Sequence, residues 1–293
     1  MAGKWVYALG FFDGVHLGHQ ALLSACEQLA KALDARTAAI TFEAHPQSLF
    51  LREVPPLLTT LEDRKKLLRR YGIQQVVSYP VTNEVMSTPW QAFLQEQLDC
   101  GAVGFVCGDD FHFGSRGEGN GEKLRQFCAE RDLPCVIIPE QTLDGIRVSS
   151  SYIRRQIESG DMATAVRFLG HGHMLTGTVV TGRKLGHKLG FPTANIELPE
   201  GVIVPCHGVY ACRAYVGEAS YMAVCNVGSR PTVEGHQIRT ETWLLDFTGD
   251  LYGKAVTLEF LYFLRPEQKF SGLEALTKAV LNDAKRTREY FGN

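Results

Sequence analysis

The chain changes its sequence pattern once along its length, and this change constrains the fold more than any other feature. From residue 5 to about residue 138, apolar runs such as WVYAL, TAAITF and AVGFVC alternate with helical patterns such as LLSACEQLAKAL and EKLRQFCAE. This alternation predicts a parallel sheet with helices on both of its faces. In such a sheet, ligands bind beyond the carboxyl ends of the strands.

The second half of the chain has a different pattern. After the helical stretch SSSYIRRQIESGDMATAVRFL come strand-length runs punctuated by Gly and Pro, such as MLTGTVV, GVYACRAYV and AVTLEFLYFL. They predict an antiparallel barrel or sandwich, and the final run GLEALTKAVLNDAKRTREYF predicts one amphipathic helix. A chain of 293 residues is long enough for two hydrophobic cores. We therefore predict two domains, residues 1–170 and 171–293.

Charge and cysteine content narrow the class of protein. The net charge is −2 and no basic run occurs, so the overall field favours neither nucleic acid nor an anionic membrane surface. The eight cysteines form no C-x-x-C pair, which is typical of reduced, buried thiols. No signal peptide and no apolar run of membrane-spanning length is evident. We expect a cytoplasmic enzyme or binding module.

A candidate phosphate site follows the first predicted strand, in GFFDGVHLGHQ. Gly10 and Gly14 allow a tight turn, and Gly18 lets a ligand approach the backbone where the helix begins. The start of a helix favours an anion, and His16 and His19 lie three apart on one face to add two donors. The alternative is a tight turn whose histidines cap the helix or contact carboxylates. A zinc pair is less favoured, because helical zinc motifs use i, i+4 spacing and need a third ligand.

This segment resembles the H-x-G-H signature of the nucleotidyltransferase superfamily, in the form found in prokaryotic FAD synthetases. Three further segments resemble that family in the same order, namely TFEAHPQSLF, VCGDDFHFGSRGEG and VSSSYIR. The resemblance implies that FMN is adenylylated by ATP with release of pyrophosphate. That reaction needs no enzyme nucleophile, because positioning and charge stabilisation supply the catalysis.

The resemblance also implies roles for individual residues. His16 and His19 would be catalytic and contact the triphosphate and the transition state. The remaining contacts to the nucleotide and its phosphates would come from Gly10, Phe12, Asp13, Gly14, Gly18, Ser149, Ser150 and Arg154. The flavin side would be formed by His45, Pro46, Asp110 and Phe111. The alternative for Asp110 is a loop residue that hydrogen-bonds to neighbouring backbone.

A second candidate site lies in TGRKLGHKLGFPTANI, where three glycines and basic residues precede a predicted strand. The loop lacks the G-K-[ST] ending of a Walker A motif, which disfavours a P-loop kinase. Thr193 and Asn195 are two apart, so on a strand their side chains share a face and their oxygens can converge on one Mg²⁺. By itself, a Thr-x-Asn pattern is more often an ordinary surface feature.

GFPTANI resembles the P-T-A-N motif of riboflavin kinases, and GVYACRAYV, CNVGSRPTV and TETWLLDFTGDLYGK follow in that family's order. The resemblance implies that Thr193 and Asn195 hold Mg²⁺ and ATP phosphates, and that Glu241 is the base for the ribityl hydroxyl of riboflavin. The alternative for Glu241 is a solvated strand glutamate. Further nucleotide contacts would come from Gly182, Gly186 and Gly190. The segment that closes over the flavin would contain Arg265 and Phe270.

Together the two halves resemble the bifunctional riboflavin kinase/FAD synthetase family over nearly the whole chain. The resemblance implies a Rossmann-like α/β domain followed by an antiparallel β-barrel with a C-terminal helix. It also implies riboflavin, FMN, FAD and ATP as substrates and products, with Mg²⁺ as cofactor. The alternatives are an enzyme with one decayed half and a flavin-binding regulator without catalysis. Departures from the family pattern occur at Phe11, Ser151, His171 and His187.

Overall fold

The computed structural model describes residues 3–182, 190–232 and 235–292. Contacts divide the chain into two compact units. The first unit comprises Met1–Leu57 and Leu61–Ser150, and the second comprises Leu58–Thr60 and Ser151–Asn293. The boundary expected near residue 170 stays a prediction, because this division describes contacts and not independently folding domains.

The first unit is built on a five-stranded parallel sheet with the order β3-β2-β1-β4-β5. Its strands are β1 Trp5–Leu9, β2 Arg36–Phe42, β3 Gln75–Tyr79, β4 Ala102–Gly108 and β5 Cys135–Ile138. The strand order reverses between β1 and β4. The predicted parallel sheet is confirmed, and the reversal marks the edge at which such sheets bind ligands.

Helices cover this sheet. They are α1 Leu17–Ala32, α2 Leu61–Arg70, α3 Asn83–Met86, α4 Trp90–Asp99 and α5 Gly121–Ala129. The apolar residues of α1 recur at helical spacing and are buried at Leu22, Leu23, Cys26 and Ala30. This stripe faces β1 and β4, and α1 follows β1 through the turn at residues 10–16.

Two short strands follow β5, namely β6 Thr142–Leu143 and β7 Ile146–Arg147. They form a hairpin whose turn residues, Asp144 and Gly145, have φ angles of 54° and 75°. An Asp-Gly turn with two positive φ angles matches the right-handed twist of paired strands.

The predicted helical stretch before the second sheet consists of two helices, α6 Ser150–Ser159 and α7 Met162–Leu169. Gly160 has a φ of 83°, which ends α6, and the carboxylate of Asp161 accepts a hydrogen bond from the Thr164 N–H at 3.1 Å to begin α7. The buried side of α7 packs against the strands that follow.

Six antiparallel strands in the second unit close into a barrel with the order β10-β11-β12-β9-β8-β13. The strands are β8 His173–Val180, β9 Ala194–Glu197, β10 Gly208–Val216, β11 Ala219–Thr232, β12 Gly235–Leu244 and β13 Ala255–Arg265. The last helix, α8 Leu273–Tyr290, packs outside the barrel against β10 and β11. The barrel is therefore observed rather than the sandwich, and the C-terminal helix is confirmed.

All eight cysteines are free thiols. Burial raises the pKa of Cys26 and of Cys107 to about 12, so these thiols are unreactive at neutral pH. Within the described ranges, no helix is long and apolar enough to cross a membrane.

Candidate active sites

The turn between β1 and α1 has an unusual backbone. Gly14 has a φ of 80°, and the non-glycine residues Phe12 and Val15 have φ angles of 58° and 41°. A Cβ atom on Gly10 would lie 2.8 Å from the Phe12 ring, so only glycine fits there. Positive φ angles at bulky residues are costly and occur mainly where a functional site requires them.

The two histidines of this turn lie together. The His16 side chain caps α1, because its Nδ1 accepts a hydrogen bond from the His19 N–H at 3.4 Å. The two imidazole rings stack with centroids 3.7 Å apart and 13° between their planes. The Phe12 ring meets His19 edge-on at 5.2 Å, and a Cβ atom on Gly18 would lie only 3.3 Å from the His16 ring. The structure thus brings the predicted histidine pair together at a helix start.

His19 has an unusual electrostatic environment. Burial, followed by the charges of His16 and Arg64, lowers the pKa of His19 well below its usual value of 6.5. Its Nδ1 is buried and has no hydrogen-bond partner among the described residues. The ring is therefore neutral at physiological pH. A buried polar atom without a partner is uncommon and is typical of sites with a chemical role.

The loop after β4 and the turn between β1 and α1 lie next to each other, because β1 and β4 are neighbours where the strand order reverses. The Asp110 carboxylate forms an ion pair with Arg147 of the β6–β7 hairpin, and Arg147 also pairs with Glu140 at 2.8 Å. Phe111 stacks on Phe113 with ring centroids 6.0 Å apart. Asp110, predicted on the flavin side, is thus held by a cation that sequence analysis did not identify. The Asp-Gly turn of the hairpin was the available signal for Arg147.

His45 and Pro46 lie after β2. His45 caps the short 3₁₀ helix Pro46–Leu49, because its Nδ1 accepts a hydrogen bond from the Gln47 N–H at 3.2 Å. Its ring meets the Phe11 ring edge-on, with centroids 5.5 Å apart. Phe11 therefore joins the predicted flavin side to the histidine turn, which neither motif reveals by itself.

Ser150 is also linked to the histidine turn. Its Oγ donates to the backbone carbonyl of the buried residue Asp13 at 2.9 Å, which fixes the start of α6 on that turn. Ser149 directly precedes the helix. Arg154 lies further along α6 and is buried, in the second contact unit. The Ser150 contact thus ties one member of this predicted phosphate group to the turn.

The second site is a row of side chains across three barrel strands. Glu241 of β12 lies directly opposite Asn195 of β9 and also opposite Asn226 of β11. Cross-strand partners share a face, so these three side chains stand side by side. Thr240 and Thr242, one residue to either side of Glu241, point to the opposite face and are fully buried.

Asn195 has an oxygen available for a cation. It is buried, and its Oδ1 accepts no hydrogen bond within the described part of the chain. The backbone of Gly182 lies so close to this amide that a Cβ atom would clash with it. Thr193 lies two residues before Asn195, and Gly190 has a φ of 86°. Gly186 and His187 lie outside the described residues.

These residues fit a Mg²⁺ ion bound together with phosphates. The unpartnered Asn195 amide oxygen and the hydroxyl of Thr193, two residues earlier in the chain, are hard oxygen ligands of the kind that Mg²⁺ takes. In the described ranges there is no cluster of three or more His, Cys, Asp or Glu side chains that could hold a metal. A Mg²⁺ ion bound by so few protein ligands usually keeps several waters and also binds substrate phosphates.

A cavity of about 190 Å³ lies beside the row. Its lining combines aromatic walls with polar side chains and includes Phe191, Thr193, Asn226, Glu241, Trp243, Arg265, Glu267 and Phe270. Asn226 donates to Glu267 at 3.1 Å, and the Phe191 and Trp243 rings lie 6.0 Å apart. Such a lining suits a flat aromatic ligand with a polar chain. Sequence analysis did not identify Phe191 or Trp243 as site residues, although Phe191 lies in GFPTANI and Trp243 lies in TETWLLDFTGDLYGK.

Arg265, which was predicted to bind flavin, is engaged in an ion pair. Its Nε and Nη2 donate to the Asp283 carboxylate of α8 at 3.0 and 2.7 Å. Asp283 is 1% exposed, and the guanidinium lies 5.6 Å from the centre of the Phe270 ring. Arg265 thus joins the end of β13 to α8 while lining the cavity. Its contact with flavin stays a prediction.

Comparison with known proteins supports the family resemblance of both halves of the chain. The FAD synthetase family model matches residues 2–152, and the Riboflavin kinase family model matches residues 169–291. Bifunctional riboflavin kinase/FMN adenylyltransferases are similar over nearly their whole length. The protein from Bacillus subtilis is 36% identical over 99% of this chain and 93% of its own. The Listeria monocytogenes protein is 34% identical over 98% and 92%. The Escherichia coli K12 protein is 33% identical over 98% and 93%.

One solved structure shares the fold over almost the whole chain. It is a Streptococcus pneumoniae protein described as a macrolide-efflux protein, with a TM-score of 0.86 and 28% identity. The match covers 98% of this chain and 95% of that protein. The arrangement of an α/β unit followed by a barrel unit is therefore found in another protein.

Proposed function

The chain belongs to the bifunctional riboflavin kinase/FMN adenylyltransferase family, and on that basis we propose that it makes both flavin cofactors. Its second unit phosphorylates riboflavin to FMN with ATP. Its first unit adenylylates FMN to FAD and releases pyrophosphate. The observation that carries the proposal is that each unit brings the central residues of its own motif set together.

In the adenylyl-transfer unit, the FMN phosphate attacks the α-phosphorus of ATP. The stacked pair His16 and His19, at the start of α1, contacts the triphosphate and stabilises the charge of the transition state. The turn from Gly10 to Gly18 provides backbone N–H groups, and Ser149, Ser150 and Arg154 bind the leaving pyrophosphate. This assignment is supported by the Ser150 contact to the turn and by the unpartnered nitrogen of His19.

The flavin side of this unit is formed by the segments after β2 and β4. His45 and Pro46 approach from the first segment, and Asp110 and Phe111 from the second. Asp110 is paired with Arg147, and because both side chains are more than half exposed, its carboxylate remains accessible to a ligand. The contact between His45 and Phe11 supports a common wall for nucleotide and flavin.

In the kinase unit, Glu241 accepts the proton of the terminal ribityl hydroxyl as that oxygen attacks the γ-phosphorus of ATP. Thr193 and Asn195 hold Mg²⁺, which neutralises charge on the ATP phosphates when it is bound. Gly182, Gly186 and Gly190 contact those phosphates, as the family resemblance implies. The cavity with Arg265 and Phe270 in its lining holds the flavin ring. The cross-strand position of Glu241 and Asn195 supports this division of roles.

We also propose a cytoplasmic location, which the eight free cysteines support. The decisive test of function is incubation of the protein with riboflavin, ATP and Mg²⁺, followed by chromatography of the flavins. We expect FMN to form first and FAD to follow. Conversion that stops at FMN, or conversion of supplied FMN alone, would indicate a single-activity enzyme. No conversion with normal flavin binding would indicate a regulator.

A further inference from the structure

An arginine is fully buried in the first unit. Arg64 lies in the first turns of α2 and is 0% exposed. Burial of a guanidinium is expensive unless its donors are satisfied, so arginine is seldom fully buried without a specific role. Neither the motifs nor the spacing of the sequence singles this residue out.

The contacts of Arg64 join the two segments that form the adenylyl-transfer site. Its Nη1 donates to the Thr41 Oγ1 at 3.1 Å and to the Phe42 carbonyl at 2.8 Å, at the end of β2. The Thr41 hydroxyl in turn donates to the Phe11 carbonyl at 2.6 Å, and the guanidinium lies 4.4 Å from the centre of the Phe11 ring. Arg64 therefore reaches the histidine turn both through a hydrogen-bonded chain and through ring contact.

Arg64 also brings charge close to the histidine turn. The carboxylate of the buried Asp13 acts on the guanidinium, and burial still leaves the pKa of Arg64 below its usual value. The guanidinium is one of the groups that lower the pKa of His19, after burial and after His16. The charges that lower the pKa of His19 include that of His16, which caps the same helix, and that of Arg64 on α2.

We propose that Arg64 is a positioning residue of the adenylyl-transfer site, which holds the Phe11–Asp13 turn against the end of β2 and supplies a fixed positive charge beside the histidine pair. The inference rests on the proposed adenylyl transfer. Its two effects are separable, because lysine keeps the charge but loses the planar fork of donors, whereas methionine keeps similar length and loses both.

The alternative role for Arg64 is purely structural, as a side chain that satisfies the Phe42 carbonyl inside the fold. A structural role predicts lower stability in the variants and unchanged chemistry in the fraction that folds. A positioning role predicts changed chemistry and a changed His19 environment in folded protein. The experiment below separates these outcomes.

The test uses the full chain with Arg64→Lys and Arg64→Met. The kcat and KM for conversion of FMN to FAD are measured, and the pH titration of the His19 ring is followed by NMR. Misplacement of a reacting group by about 1 Å costs on the order of 10²-fold in rate, so we expect a kcat loss of that order in Arg64→Met. Arg64→Lys should lose less. The His19 pKa should rise in Arg64→Met, because a cation is removed, and stay low in Arg64→Lys.

Thr41→Val is the third variant, since it removes the hydroxyl that links Arg64 to Phe11 and conserves side-chain shape. If Arg64→Met does not fold, Thr41→Val still tests the positioning role of Arg64. We expect a kcat loss of about 10-fold in this variant, because the turn is held less firmly. Folded Lys and Val variants with wild-type kcat would overturn the proposal, as would a folded Met variant with an unchanged His19 pKa. Failure of the wild-type protein to form FAD would instead refute the proposed function on which this inference rests.

Discussion

Glu241 of β12 lies directly opposite Asn195 of β9 in the barrel, so that the proposed base and the proposed Mg²⁺ ligand form one cross-strand pair. Their Cβ atoms are therefore about 5 Å apart, close enough to act on the same phosphoryl transfer. The Asn195 oxygen is unpartnered among the described residues, which leaves it open to a cation.

Two substitutions should separate the roles of this pair. Glu241→Gln keeps size and hydrogen bonding but cannot accept the ribityl proton, so FMN formation should fall by roughly 10²–10⁴ with ATP binding retained. Asn195→Ala removes an oxygen ligand, so its defect should be weaker Mg-ATP binding that added Mg²⁺ partly relieves. The measurement is the initial rate of FMN formation across a Mg²⁺ titration. Conversion of supplied FMN to FAD is the internal control, and equal Mg²⁺ responses in the two variants would contradict the assignment.

The histidine turn gives a second prediction. His16→Asn keeps a side chain that can cap α1 but removes an imidazole donor from the phosphate site. We expect FAD formation to fall by about 10²–10³ while FMN accumulates. Flavin chromatography measures both products, and thermal unfolding checks that the cap is retained. Normal FAD synthesis in a folded His16→Asn, His19→Ala double variant would leave the adenylyl site unlocated.

The ion pair between Arg265 and Asp283 should stabilise the docking of α8. Asp283→Asn leaves a largely buried guanidinium without its counter-charge, which costs on the order of 3 kcal/mol in the free energy of unfolding. Lys285→Ala is the matched control on the same helix, because its pair with Glu289 is exposed and should contribute less than about 0.5 kcal/mol. Denaturant unfolding measures both values. Equal effects would show that the buried pair contributes no more than a surface pair.

Acid should weaken the first unit through His19. Its pKa in the folded protein is well below the 6.5 of an ordinary histidine, so between those values the unfolded chain binds a proton that the folded chain does not. The free energy of unfolding should therefore fall as pH drops below about 6.5, by up to about 1.4 kcal/mol per pH unit. Thermal unfolding from pH 7.5 to 5 should show a shallower acid slope in His19→Gln.

The sequence by itself determined the classes of both halves and the location of their motifs. Alternating strand and helix patterns predicted the parallel sheet, and Gly-punctuated strands with a final helix predicted the second half, because both patterns depend on local periodicity. The positions of His16 and His19 followed from their spacing at a helix start. Thr193 and Asn195 were predicted to share a strand, but Thr193 directly precedes β9 and only Asn195 lies in it.

The tertiary structure alone decided which distant residues meet. The register that sets Glu241 opposite Asn195, the pairing of Asp110 with Arg147 and the link from Arg64 to Phe11 all join segments far apart in the chain. Closure into a barrel rather than a sandwich was likewise settled by long-range strand pairing. Local patterns specify which face a side chain occupies, but contacts between elements depend on how complete elements pack together. A buried arginine therefore has no signature in sequence, although it contacts the turn on which the first unit's proposed site is built.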